Sequence, residues 1–371
     1  MTDKPELTPK ERFERAIRRE EVDRLPFWVK IFGASYMDFQ EHKYRDMPEL
    51  EMAEYLDLDH MTGGPAPVRG HNSGVTIRTE KQNGKQITTI ETPDGVLRAV
   101  NSFDEGSRSW HPTEFPIKTV DDLRAMRHRY ANTRYEFNPE LLAKGKDRLK
   151  QVGDRAIVMT GIGISPLMEI IQHLVGPENT YYLMADHPKE MDDLIEQMHQ
   201  DRLRFVRVAA EHAPFDYIVS TENTSTTLLS PSIFERYCWR HLNEYGKIIT
   251  RHGKMHVLHQ CGKLKAVLPK IDELPAACIE AYTSPPVGDT TLADRTALAP
   301  HTSVIGGTNA TLWLAPVDTI CETIRRDLAA AGGMRGVVLT SAGVMPPAAA
   351  IPKIAKVREA MKGIRWGDFD R

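Results

Sequence analysis

From residue 156 onward, short apolar runs alternate with helix-length segments, and this alternation constrains the fold more than any other feature of the chain. The runs cover 156–160, 217–220, 255–259, 278–281, 303–306 and 336–339, with helix-length segments that include 189–211, 231–252 and 316–331 between them. Repeated strand-then-helix units build a parallel sheet. Six such strands, with one or two more before them, predict an α/β fold of the (β/α)8 TIM-barrel type. The chain opens differently. Thr8, Pro9 and Glu11 spell a capping box with proline at the first helical position. A first strand is expected over 25–32. Val75–Thr79 and Ile87–Glu91 then flank Asn83-Gly84, a hairpin signal, and Pro93-Asp94-Gly95 marks a second turn. We read a single domain over 1–371, with an N-terminal antiparallel β-meander inserted at about 74–103.

Composition narrows the class of partner. The 371 residues carry a formal net charge of -3 and a pI near 6.5, with bases scattered among acids, so no nucleic-acid partner is expected. No run reaches the ~18 apolar residues of a membrane span. The residues after Met1 lack the apolar stretch of a signal peptide. Cys238, Cys261, Cys278 and Cys321 show no disulfide spacing. The expectation is a cytoplasmic enzyme without a membrane partner; whether it forms a homodimer is left open.

Two strand ends carry the chemistry. His259 and Cys261 stand two residues apart in His259-Gln260-Cys261-Gly262, and at a strand tip such residues point the same way. One imidazole and one thiolate form half of a zinc site. A buried cysteine beside a core histidine would leave the same trace. The next run, Ala277-Cys278-Ile279-Glu280-Ala281-Tyr282, places a carboxylate mid-strand, where glutamate is costly unless paired or bound to metal. His259, Cys261 and Glu280 together fit a catalytic Zn2+ with an open position. Cys278 alternates onto the same face as Glu280 and reads as core packing, as do Cys238 and Cys321, while His256 reads as a core or supporting histidine. Polar residues follow the other strands: Gly161-Ile162-Gly163, Glu222-Asn223, Gly306-Gly307 and Thr340-Ser341. Barrels place their active sites at these carboxyl ends. Glu222 is either a solvated loop acid or a group for substrate positioning and proton delivery. Asn223 and Ser341 are candidate substrate-binding residues.

With Thr8-Pro9-Lys10-Glu11-Arg12-Phe13, Asp23-Arg24-Leu25-Pro26, Glu91-Thr92-Pro93-Asp94-Gly95, Ser230-Pro231, His259-Gln260-Cys261-Gly262 and Glu280 followed by Pro285-Pro286 and Gly288-Asp289, the chain resembles the uroporphyrinogen decarboxylase superfamily over its whole length. It looks most like that group's zinc-dependent, corrinoid-linked methyltransferases. The resemblance implies a (β/α)8 barrel and methyl transfer between a small substrate and a corrinoid. The chain departs from the family twice. Lys30-Ile31-Phe32-Gly33-Ala34-Ser35 replaces the arginine-rich element of true decarboxylases, which argues against a porphyrinogen substrate. Ala342 stands where thiol-methylating relatives place a last zinc-binding cysteine. The corrinoid-binding pattern Asp-x-His-x-x-Gly is also incomplete, because Leu58 precedes His60-Met61-Thr62-Gly63 at the aspartate position. Cobalamin is therefore expected on a separate corrinoid protein. Losing one thiolate suits oxygen over sulfur, so the favoured substrate is a methyl ether such as a methoxylated aromatic, cleaved by O-demethylation. Thiol methylation, or a decarboxylase or lyase reaction on the same barrel, is the alternative.

Overall fold

The computed structural model describes residues 6–369; Met1, at which the expectation about a signal peptide starts, lies outside them. Thirteen strands are present among these: β1 His60–Gly63, β2 Val68–Asn72, β3 Thr76–Gln82, β4 Lys85–Thr92, β5 Gly95–Asp104, β6 Ser109–Glu114, β7 Thr133–Phe137, β8 Ala156–Gly163, β9 Tyr217–Thr221, β10 Met255–His259, β11 Cys278–Tyr282, β12 Ser303–Gly307 and β13 Val337–Thr340. Seven form one curled parallel sheet in the order β1-β8-β9-β10-β11-β12-β13. Every residue of β11, β12 and β13 is buried, because helices cover the outside while the barrel interior is filled with side chains.

The stretch expected as a strand over 25–32 joins this sheet by a single parallel bridge, Phe27 to Leu339. Pro26 has no N–H to give a ladder. The stretch still fills the gap in the sheet. Trp28 N donates to Leu339 O at 2.9 Å, and Asp59 N donates to Phe27 O at 2.8 Å. The segment thus lies between β13 and the residue that leads into β1, completing a TIM-barrel-like fold.

The opening helix, Pro9–Ile17, begins with the capping box on Thr8 and Glu11 and buries Phe13, Ala16 and Ile17. The meander is a four-stranded antiparallel sheet, β3-β4-β5-β6, one strand longer than the sequence suggests. Its first turn has Asn83 and Gly84 at φ of 51° and 68°, as a two-residue hairpin turn requires. The helical stretch from Pro231 to Arg251 contains a π turn at Glu235–Trp239, where an unbroken helix was expected. Among the described residues, no helix is long and apolar enough to cross a membrane.

Candidate active site

The ends of β10 and β11 meet in register, with His259 opposite Glu280. The register of β11 against β12 shifts between Glu280 and Tyr282, and Ala281 sits at φ 66°, a left-handed backbone that alanine seldom adopts. Such a bulge redirects the side chain beside it. The Glu280 carboxylate, almost wholly buried, is hydrogen-bonded through Oε2 to His259 Nδ1 and ion-paired through Oε1 with Lys30 Nζ at 2.6 Å. Burial alone would raise this carboxyl, but the Lys30 ammonium and the His259 ring hold it below its usual range. Burial likewise works against a charged His259, yet hydrogen bonds to Cys261 and Glu280 push the ring up to about 9.

Cys261 faces Asn223, its thiol donating to Oδ1 at 3.2 Å, while Asn223 Nδ2 donates to Gln172 Oε1 at 2.9 Å. Asn223 adopts φ 48°, a conformation asparagine tolerates better than most residues. Gly262 follows Cys261 at φ 92°, and a Cβ there would lie 2.7 Å from Ser225 Oγ, so the turn admits only glycine without rearrangement.

Glu222 is fully buried, which removes the reading of a solvated loop acid. Its Oε1 accepts from Ser165 N at 2.7 Å, and Oε2 has no partner among the described residues. Burial pushes its carboxyl up to about 7, against the opposing pull of the Ser165 hydrogen bond. Ser341 is buried as well, and its hydroxyl donates to Gly343 O at 2.7 Å. Cys238 and Cys278 are fully buried, and burial drives both thiols far above their ordinary range. His256 is buried against Ser220 Oγ at 2.7 Å, a supporting position.

A cavity of about 470 Å³ opens beside this cluster, lined by Trp28, Phe32, Met61, Met159, Val219 and Val344 among other residues. Lys30 and Thr221 also stand on its wall; His259, Cys261, Glu280, Glu222, Asn223 and Ser341 do not. Lys30 therefore links the cavity to Glu280. Sequence reasoning passed over this lysine, although its signal resembled that of Glu280: one charge inside the apolar run Phe27-Trp28-Val29-Lys30-Ile31-Phe32.

Imidazole, thiol and carboxylate are the donor chemistry of a catalytic zinc site, and the fold brings all three to adjacent strand ends. Among the described residues, however, no three His, Cys, Asp or Glu side chains stand already arranged to hold a metal. His259 and Glu280 are close enough to share a hydrogen bond, whereas Cys261 is engaged with Asn223 and Glu280 with Lys30. The donors fit zinc; their present partners would have to give way to it.

The profile of the Uroporphyrinogen decarboxylase (URO-D) family matches residues 113–364. Among solved structures, a methyltransferase from Methanosarcina mazei superposes with a TM-score of 0.60 at 14% identity, covering 96% of this chain and 98% of its own. A candidate vitamin-B12 independent methionine synthase from Listeria monocytogenes superposes with a TM-score of 0.43 at 14% identity, covering 63% of this chain and 71% of its own. No curated protein sequence matches the chain.

Proposed function

Starting from the fact that this chain belongs to the uroporphyrinogen decarboxylase family, we propose that it is a zinc-dependent methyltransferase that passes a methyl group from a methyl ether to a corrinoid carried by a separate protein. The observation that carries the reading is the register of His259 with Glu280 at the carboxyl ends of β10 and β11, with Cys261 two residues beyond His259, where a barrel concentrates its chemistry. These three residues would hold the metal. Bound there, zinc would supply Lewis acidity to the oxygen that loses its methyl group.

The chain's own groups supply the rest. The cavity wall of Trp28, Phe32, Met61 and Met159 suits the apolar body of an aromatic ether. Glu222, with a carboxyl pushed up to about 7 by burial, can hold or give up a proton at Oε2, the oxygen without a partner among the described residues. Asn223 positions Cys261 through its side-chain oxygen. The Methanosarcina methyltransferase, at 14% identity, supports the fold alone, and methyl transfer by that protein agrees with the proposal. Thiol methylation is the second reading, and Ala342 disfavours it, because no sulfur stands at the position that thiol-methylating relatives use.

Metal analysis of the purified protein, followed by methyl transfer to reduced cobalamin from methoxyarenes and from simple thiols, tests the proposal. We expect one zinc per chain, loss of zinc and activity in Cys261→Ala with the fold retained, and a preference for methoxyarenes. Full turnover by metal-free protein, or by protein without any corrinoid, overturns it.

A further inference from the structure

Lys30 is the one cation on the wall of the cavity among the described residues. Its surroundings there are apolar and aromatic, with its Nζ 5.9 Å from the centre of the Trp28 ring. Glu49, the one acid on the wall among the described residues, has a partner at each oxygen. His60 Nε2 and Thr62 Oγ1 meet its Oε1 at 3.0 and 2.7 Å, and Arg148 Nη2 donates to Oε2 at 2.6 Å. Glu49 thus has no lone oxygen to offer Lys30. The ammonium instead reaches out of the cavity to Glu280 Oε1 at 2.6 Å, with Ala342 O more distant at 3.5 Å. Glu280 in turn divides its charge between Lys30 and His259.

A lysine held this way has two possible counter-ions. While Glu280 keeps its charge for the protein, Lys30 is paired. Once another cation draws that carboxylate away, the ammonium is left in a largely apolar cavity, and an unpaired charge in such surroundings is costly. Lysine carries a compact point charge on a flexible stem, so its end can swing without moving the backbone. The surrounding walls accept a flat apolar body, and the ammonium accepts an oxygen anion at its edge. We infer that Lys30 is the anion-recognising residue of the cavity, that it takes the oxygen of a phenolate-like ligand, and that Glu280 withholds it until the carboxylate is engaged elsewhere. The trigger rests on the reading of Glu280 as a metal ligand; the recognition of the anion by Lys30 does not.

The test uses 4-nitrophenol, whose anion absorbs in the visible while the neutral form does not. In the metal-free full chain, Glu280→Gln keeps the side-chain shape and removes the charge that holds Lys30. It should bind the nitrophenolate at least tenfold more tightly than the unmodified protein, with the anion's absorbance band. Adding Lys30→Met should abolish the gain, and Lys30→Arg in its place should restore part of it. Thermal melts establish that each variant is folded. Equal binding by Glu280→Gln with and without Lys30→Met overturns the inference. A second arm measures zinc affinity by competition with a chelator. Lys30→Met alone should bind zinc at least tenfold more tightly, because Glu280 no longer has to abandon an ammonium; unchanged affinity overturns the withholding role. If no form binds zinc, the metal-site reading fails, and the nitrophenolate comparison, made without metal, still decides the role of Lys30.

Discussion

Two buried charge clusters occupy opposite ends of the parallel sheet, and they differ in how completely their polar atoms are used. At the entry to β1, Arg12 donates to Asp23 Oδ1 at 2.6 Å and Oδ2 at 2.8 Å, to Asp59 Oδ1 at 2.6 Å and to the Leu7 carbonyl. The other oxygen of Asp59 accepts from Phe27 N at 2.8 Å. Every nitrogen of the Arg12 guanidinium and both oxygens of the Asp59 carboxylate are thus engaged within the protein. At the exit of β10 and β11, Glu280 is shared by Lys30 and His259, and Glu222 keeps one buried oxygen without a partner among the described residues. Charge that is fully paired holds a fold together, whereas incompletely paired charge is available for chemistry. The same polarity separates stability from catalysis in barrels generally.

The largest effect that would break this comparison concerns Arg12. Replacing it with Met leaves Asp59, fully buried, without its hydrogen-bonded guanidinium, with Arg358 Nη2 at 3.9 Å as the remaining ion-pair cation among the described residues. Removing one member of a buried pair costs about 3–5 kcal/mol, so Arg12→Met should melt far below the unmodified protein, or fail to fold at all. A melting temperature within a few degrees of the original would show that this cluster does not anchor the barrel entry.

The next effect should fall on rate and leave stability alone. Glu222→Gln keeps the oxygen that accepts from Ser165 N and removes the proton that the carboxyl can exchange. Proton transfer by a positioned group contributes roughly 10²–10⁴-fold, and we expect kcat for methyl transfer to fall by at least about tenfold on that basis. Thermal denaturation should show no loss of stability, since the amide carries no charge to bury. Full activity in this variant would remove Glu222 from the reaction.

The legibility of these regions in the sequence followed sequence distance. The strands 255–259 and 278–281 could be read because each is a continuous apolar run, and their order along the chain made them neighbours in the sheet. The sequence order alone therefore places His259 beside Glu280, as the register of β10 with β11 has them. Asn83-Gly84 announced the hairpin by local chemistry alone. The ion pair of Lys30 with Glu280 could not be read, because nothing local marks two residues so far apart as partners. The same holds for the thiol of Cys261 on Asn223. β1 was missed for another reason: His60–Gly63 is a four-residue polar-rich strand without periodicity. Its place in the sheet comes from pairing with β8.

The smallest expected effect sharpens the comparison, because Glu49 lies on the cavity wall and yet is saturated like Arg12. Its hydrogen bond with His60 draws the carboxyl down to about 2; burial opposes this, and Thr62 and Arg148 add to it. A carboxyl whose folded value lies below its unfolded one stabilises the protein above the unfolded value and loses that contribution as pH falls toward the folded one. For Glu49 the window runs from the ordinary glutamate value of 4.5 down to about 2. The Glu49 side chain is 34% exposed, so water screens these contacts, and the contribution at neutral pH should be about 1 kcal/mol. Glu49→Gln should consequently unfold at lower denaturant than the unmodified protein at pH 7, and the gap should narrow steadily below about pH 4.5 as the unmodified protein loses the contribution that the amide never had. Urea unfolding of both proteins at several pH values measures the gap directly. If it stays constant into the acid range, the charge of Glu49 is not what its partners hold, and a saturated carboxylate on the cavity wall would no longer count as structural.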